Sequence, residues 1–351
     1  RFEPSPQPVE IDLRYRDQFF FWEENFATSF RLFGASDEFF PPRAVHVIPH
    51  KDVRYILPGN LLIHREEIIG RLTDEAIQRG AMFFDGPNTR LIDYHTTPVD
   101  KTEQKHVYLH LGPIGWHDYS VCRWALDHAI KKRTIDEIRE YLDLDEVANS
   151  QIIRNNKLTN ILCTATTLIT RDRFILYSQR GGRVSAIPGR FTSCIAENIH
   201  QEFDQSLEAA SENELPSPFR TVLRGIEEEA SPKIAQLLHL RPSLVFLLGL
   251  DFELLSFQPD LLFVVFVPFE YEEFQDICRQ YPGKDFIEGR IQGISLSSSP
   301  ESLSKLLSDP NWIPGGKASF IRALEFFDSI EEANPQHQFE DMVGKLEEKN
   351  R

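Results

Sequence analysis

The chain has 351 residues, 41% of them hydrophobic and 27 of them Phe, enough for a sizeable core and more than one typical domain needs. Its 54 acidic and 38 basic residues leave a formal charge of −16, so it has no overall attraction to a phosphate backbone and extended nucleic-acid binding is disfavoured. Four widely spaced cysteines (Cys122, Cys163, Cys194, Cys278) form no C-x-x-C pair. This argues against a thiolate zinc cluster or a disulfide framework and for a reducing cytoplasm. No apolar run approaches the roughly 18–20 residues of a membrane span, and the longest, LLFVVFVPF, has strand length. The chain opens at Arg1 without methionine, which leaves room for a processed product or an upstream anchor or domain.

In chain order, the proline-punctuated residues 1–20 read as an extended arm. Ile68, Ile69, Leu72, Ala76 and Ile77 fall at helical spacing and predict a helix ending near Gly80. DGPNTR reads as a turn, and LIDYHTTPV and HVYLHLGPIGW as paired strands. The stretch from Tyr119 to Leu142 reads as helical, in two pieces. A loose boundary falls near NSQIIRNNK. Beyond it, LTNILCTATTLITRDRFILYSQR predicts a hairpin turning at TRDR. GGRVSAIPGR is a glycine-rich loop, and HQEFDQSLEAASENELPSPF a polar insertion. Phe219, Val222, Leu223, Ile226 and Ala230 mark one face of a helix that starts near Pro218. SLVFLLGLDFELL and DLLFVVFVPFE predict strands; YEEFQDICRQY, ESLSKLLSD and GGKASFIRALEFFDSIEEA predict helices. The reading divides the chain into an arm (1–20), an accessory α+β domain (21–154) packed on the next, a second domain (155–330) and a polar tail (331–351).

Chemistry concentrates in LRGIEEEASP. On a helix, Arg224 and Glu228 form an (i, i+4) pair, and Glu229 projects about 100° further round. The bland reading of Glu227, Glu228 and Glu229 is a solvated charged face. The sharper reading is a pair of hard oxygen ligands for magnesium or manganese. Gly181, Gly182 and Gly189 are either turn residues or a close approach for phosphate. Arg180, Arg183 and Arg190 either grip a diphosphate or decorate the loop. Trp312 offers its ring to a base or to the core. His46 and His50 stand four apart in HVIPH, but Pro49 argues against a helix there, and no H-E-x-x-H or G-x-S-x-G string occurs.

The order hairpin, Pro-Gly loop, glutamate-rich helix and further strands resembles the Nudix hydrolase superfamily, whose signature is G-x5-E-x7-R-E-U-x-E-E-x-G-U. Arg224, Ile226, Glu228 and Glu229 match its second half. Gly225 stands where the family has a glutamate, and Ser231-Pro232 where it has Gly-aliphatic. Pro216 occupies the place of the first-half glutamate, for which Gly189 and Glu197 are displaced candidates. The layout is similar to a divergent Nudix-like group with a Pro-Gly loop, a later glutamate, an aspartate-containing insertion, R-G-U-x-E-E and an N-terminal region like NTRLIDY…LHLGPIGWHDYS. The resemblance implies an α/β/α sandwich with a mixed sheet. It implies Mg2+ or Mn2+ on Glu228, Glu229 and Glu197, with Glu288 or Glu197 as base and Asp285 nearby as a further acid. Substrate contacts would come from Arg180, Arg183, Arg190 and Gly189, with Arg224 as an orienting ion-pair partner. The implied activity is hydrolysis of a nucleoside diphosphate-linked nucleotide or dinucleotide. The rival is a Nudix-fold module without turnover that binds a nucleotide signal or a protein. Oligomeric state stays open.

Overall fold

The computed structural model describes residues 19–23, 26–35, 37–80, 82–97, 105–132, 152–155, 159–180, 189–204, 216–253, 258–286, 289–333 and 344. Its strands in chain order are β1 (Phe19–Glu23), β2 (Phe26–Phe33), β3 (Val45–Pro49), β4 (Pro87–Thr96), β5 (Val107–Gly115) and β6 (Cys163–Thr170). There follow β7 (Phe174–Arg180), β8 (Phe191–Ser193), β9 (Ile195–Asn198), β10 (Val245–Glu253), β11 (Gln258–Val267) and β12 (Gly289–Ser295). The longer helices are α1 (Arg65–Gln78), α2 (Trp116–Lys132), α3 (Pro218–Gly225), α4 (Pro232–Leu240), α5 (Tyr271–Gln280), α6 (Pro300–Leu307) and α7 (Pro314–Ala333).

The fold is α/β, with a large mixed sheet and a small one. The large sheet runs β1-β2-β10-β11-β6-β7-β12, with β8 paired to β7 and β9 to β6. The β6–β7 pair is the expected hairpin, turning at residues 171–173 with Arg173 in the left-handed region. Strand β11 lies parallel to β6; the remaining pairs are antiparallel. Strands buried on both faces read as continuous apolar runs, which is why β10 and β11 show no alternation. Phe246, Phe252, Phe263 and Phe266 are fully buried there, each contributing on the order of 1.5–3 kcal/mol of hydrophobic stabilisation. Leu262 clusters with Ala318 of α7, while its neighbour Phe263 meets Phe219 of α3 edge to face. Successive strand residues point to opposite faces, so α3 and α7 cover opposite sides of the sheet.

Strands β1 and β2 correct the sequence reading. They lie in the span assigned to the arm and accessory region, yet β2 pairs with β10 of the large sheet. The expected turn DGPNTR is instead the entry into β4, which begins at Pro87. The small sheet, β3-β5-β4, is stitched to the large one by backbone bonds. Leu162 N–H donates to Thr89 O, Thr89 N–H to Ile199 O, and Leu91 N–H to Asn160 O, at 2.9–3.0 Å. Leu91, Leu109 and Leu111 of the small sheet share one core cluster with Leu250 and Phe263. The helix expected near Ile68–Ile77 is α1, closed by Gly80 at φ +69°. The second helical piece expected after α2 and the polar insertion 205–215 lie outside the described residues. No helix among the described residues is long and apolar enough to cross a membrane.

Candidate functional site

Pro218 occupies the first turn of α3, where its missing N–H costs nothing. Val222, Leu223 and Ile226 are buried against the sheet, which leaves Arg224 and Glu228 on the rim. The next turn, Ile226–Ala230, is π-helical and closes with Ser231 N–H donating to Ile226 O at 2.8 Å. Such turns widen the helix and often mark functional sites. Pro232 then starts α4, with the Ser231 hydroxyl accepting from Lys233 N–H. The π-turn carbonyls find donors in the segment after α5: Asp285 N–H donates to Glu228 O at 2.9 Å and Gly283 N–H to Ala230 O at 3.0 Å. Gly283 is needed for this approach, because a Cβ there would stand 2.1 Å from Glu228 O. Three consecutive glutamates are thereby fixed on a turn clamped from both sides.

Arg224 is the hub of the site. Its Nη1 donates to Glu197 Oε2 at 2.8 Å and to Glu228 Oε2 at 3.4 Å. Its Nε donates to Asp204 Oδ1 at 2.8 Å, and its Nη2 to Asp204 Oδ2 at 3.2 Å and to Asn198 O at 2.9 Å. Asp204 is fully buried. Asp204 Oδ2 also accepts from His200 N–H at 2.7 Å, so the turn after β9 is tied to the helix through one guanidinium. Lys284 Nζ approaches Glu228 Oε1 at 2.9 Å from the solvent side.

Gly225 explains how the displaced glutamate arrives. A Cβ at this position would lie 2.5 Å from Ile195 Cγ2 and 2.8 Å from Glu197 Cγ. Glycine lets β9 lie directly on α3, and the stem of Glu197 occupies the space a side chain at 225 would need. A glycine at position 225 is thus a packing requirement of this chain. Glu197 sits in register with Thr164 of β6, whose hydroxyl donates to Glu197 O at 3.2 Å.

The carboxylates hold one another's charge in check. Burial, followed by the neighbouring Glu197, pushes Glu229 well above the usual carboxylate range, although Ala196 N–H donates to its Oε1 at 3.2 Å. Burial is also the main cause that raises Glu197, with Glu228 and Asp204 adding to it and Arg224 opposing it. Burial alone would weaken the charge of Arg224, but Asp204, Glu197 and Glu228 outweigh it and hold Arg224 above its ordinary range. The donors are hard oxygens, and their excess negative charge is of the kind a divalent cation offsets. Their present orientation is toward Arg224 and Ala196, and among the described residues no three acidic, His or Cys side chains surround a common point.

Of the other sequence candidates, Arg180 ends β7 and lowers the proton affinity of Glu229 by its charge. Its Nε is buried and, among the described residues, donates to no hydrogen-bond partner. Arg190 is half-buried; its carbonyl accepts from Arg180 N–H at 2.9 Å. Gly189 adopts φ +79°, a turn conformation that favours glycine, with nothing within 4 Å of a Cβ there. Arg183, Gly181, Gly182 and Glu288 lie outside the described residues. Asp285 enters through its backbone, as above. Trp312 is a core residue, fully buried with its indole N–H donating to Leu306 O at 2.8 Å, so it offers no ring to a ligand.

Sequence reasoning missed Asp204. Its only signal was that the insertion contains an aspartate, and no spacing rule ties that residue to Arg224, 20 positions away. It also missed the grouping of His46, His50, His95, His106 and His110, five of the eleven histidines, on the small sheet. No family model matches the chain, and no curated protein sequence matches it.

Proposed function

We propose that the chain is a Nudix-type pyrophosphohydrolase that uses Mg2+ or Mn2+ to split a nucleoside diphosphate-linked substrate. One observation carries this reading: Arg224 holds Glu197 of β9 beside Glu228 of the π-turn, and Glu229 of the same turn is near enough to Glu197 for that charge to raise its proton affinity. Glu228, Glu229 and Glu197 would hold the ion. When bound, it would polarise a phosphoryl oxygen and make a bound water more acidic. Glu288 or Glu197 would take a proton from the attacking water. Arg224 keeps Glu197 and Glu228 oriented, and Arg180 would add positive charge for an anionic substrate. All four cysteines are free, in keeping with a reducing cytoplasm.

A specific observation favours the second reading, a Nudix-fold module without turnover. Arg224 and Lys284 already neutralise Glu228, so cation binding has to displace an existing ion pair. Phosphate release from dinucleotides, nucleotide sugars and nucleoside triphosphates with Mg2+ or Mn2+ separates the two. Turnover that falls at least 100-fold in Glu228→Gln/Glu229→Gln, with folding retained, supports the hydrolase. Turnover unchanged in that variant removes the site assignment. Nucleotide binding without any turnover favours the binding module.

A further inference from the structure

A cavity of about 460 Å3 opens beside Glu228, on the solvent side of α3. Phe203, Arg220, His239 and Lys284 line it, together with Arg224 and Glu228 from the carboxylate cluster. Its size is that of a small-molecule site. Phe203 supplies a large exposed ring, Arg220 and Lys284 supply cationic side chains, and Glu227 adds an exposed acid to the same lining.

Phe203 is 65% exposed. Its position is nonetheless fixed. The ring stacks on His200 with centroids 4.1 Å apart and planes 15° apart. His200 is itself locked, because its Nδ1 accepts from the N–H groups of Glu202 and Phe203 at 3.2 and 3.3 Å. The same turn is held from below by Asp204 on Arg224, and from the side by Gln201, whose Nε2 donates to Asn88 O of β4 at 2.5 Å. The outer face of the Phe203 ring is therefore presented to the cavity on a braced turn. Arg220 is half-buried on α3, one turn before Arg224, and Lys284 is 66% exposed beside Glu228.

We propose that this cavity receives the base end of a nucleotide, with Phe203 stacking on the base and Arg220 and Lys284 taking the adjoining phosphates. The inference rests on the nucleotide-hydrolase reading of the neighbouring carboxylates and adds to it a specificity-determining residue. Stacking on one aromatic side chain contributes a factor of about 5 to 150 in affinity per base. Arg224 links the two functions, because it orients the carboxylates and anchors the turn that carries the ring.

The test is calorimetric titration of the full chain with ADP and, separately, with pyrophosphate, both in the presence of EDTA. Removing metal keeps the result independent of the carboxylate assignment. Phe203→Ala is expected to weaken ADP at least fivefold while pyrophosphate changes less than twofold, and Phe203→Tyr is expected to retain ADP affinity. Arg220→Met is expected to weaken both ligands. Equal ADP affinity in wild type and Phe203→Ala overturns the proposal, as does failure of the wild type to bind ADP at millimolar concentration. Either failure leaves the metal-dependent turnover test standing, and loss of turnover in the glutamate variants says nothing about Phe203.

Discussion

Two clusters of titratable groups face each other in character. Around α3, its π-turn and β9, three carboxylates surround one arginine, with Asp204 fully buried and Glu197 and Glu228 half-buried. On the small sheet, five histidines and Tyr108 share one face. His46 Nε2 meets His106 Nδ1 at 2.8 Å, and His50 Nε2 meets His110 Nδ1 at 2.9 Å. His110 Nε2 reaches His95 Nδ1 at 3.4 Å, and Tyr108 stacks between His46 and His95 at 4.7 Å from each. The first cluster is charged and depends on a countercharge. The second consists of imidazoles that satisfy one another as donor and acceptor, which requires one free lone pair in every contact. Removing a partner therefore damages the first most, and adding protons damages the second.

The largest expected effect follows from removing the hub. Arg224→Met leaves Asp204 and Glu197 buried without their countercharge and should cost about 3–5 kcal/mol in urea denaturation. A loss below about 1 kcal/mol would mean that the carboxylates are stable without it. Next comes Gly225→Ala, whose methyl group meets Ile195 and the Glu197 stem; overpacking of this kind costs about 1–3 kcal/mol. If the variant is as stable as wild type, β9 does not need its close approach to α3.

The smallest effect concerns the histidine face. Burial, then the neighbouring His106, holds His46 below the ordinary imidazole range. Burial also lowers His110; Asp93 opposes this, while His50, His95 and Arg154 reinforce it. A base with a lowered folded-state pKa binds fewer protons folded than unfolded, so its share of stability is present above the unfolded value near 6.5 and is lost as pH falls below it. After discounting for solvent screening, the loss between pH 7.5 and pH 5.5 should be under about 1 kcal/mol. His46→Asn/His110→Asn should flatten that slope in denaturation curves at the two pH values. An unchanged slope would place the acid sensitivity elsewhere.

The two clusters were unequally legible in the sequence. Arg224, Glu228 and Glu229 lie within six residues on one helix, so helical period alone placed them on a common rim. Glu197 was a candidate because it follows the Pro-Gly loop, but its contact with Arg224 depends on Gly225, whose role is steric and visible only when β9 is in place. Asp204 required the fold, since a turn tied by backbone bonds to β4 brings it in. The histidines stand on three strands, and register across β3, β5 and β4 has no short-range signature. His106, Tyr108 and His110 do repeat with period two, a strand pattern that HVYLHLGPIGW carries openly. Strands β1 and β2 went unassigned because FFFWEENFATSFRLF has no alternation, and the pairing of β2 with β10 spans more than 200 residues of chain.

Manganese titration monitored by electron paramagnetic resonance tests the central claim most directly. Wild type should bind Mn2+ in competition with Mg2+. Glu228→Gln/Glu229→Gln should bind it at least tenfold more weakly, while His46→Asn/His110→Asn binds as wild type does. Equal affinity in wild type and the glutamate variant would contradict the assignment of the carboxylate cluster as the metal site.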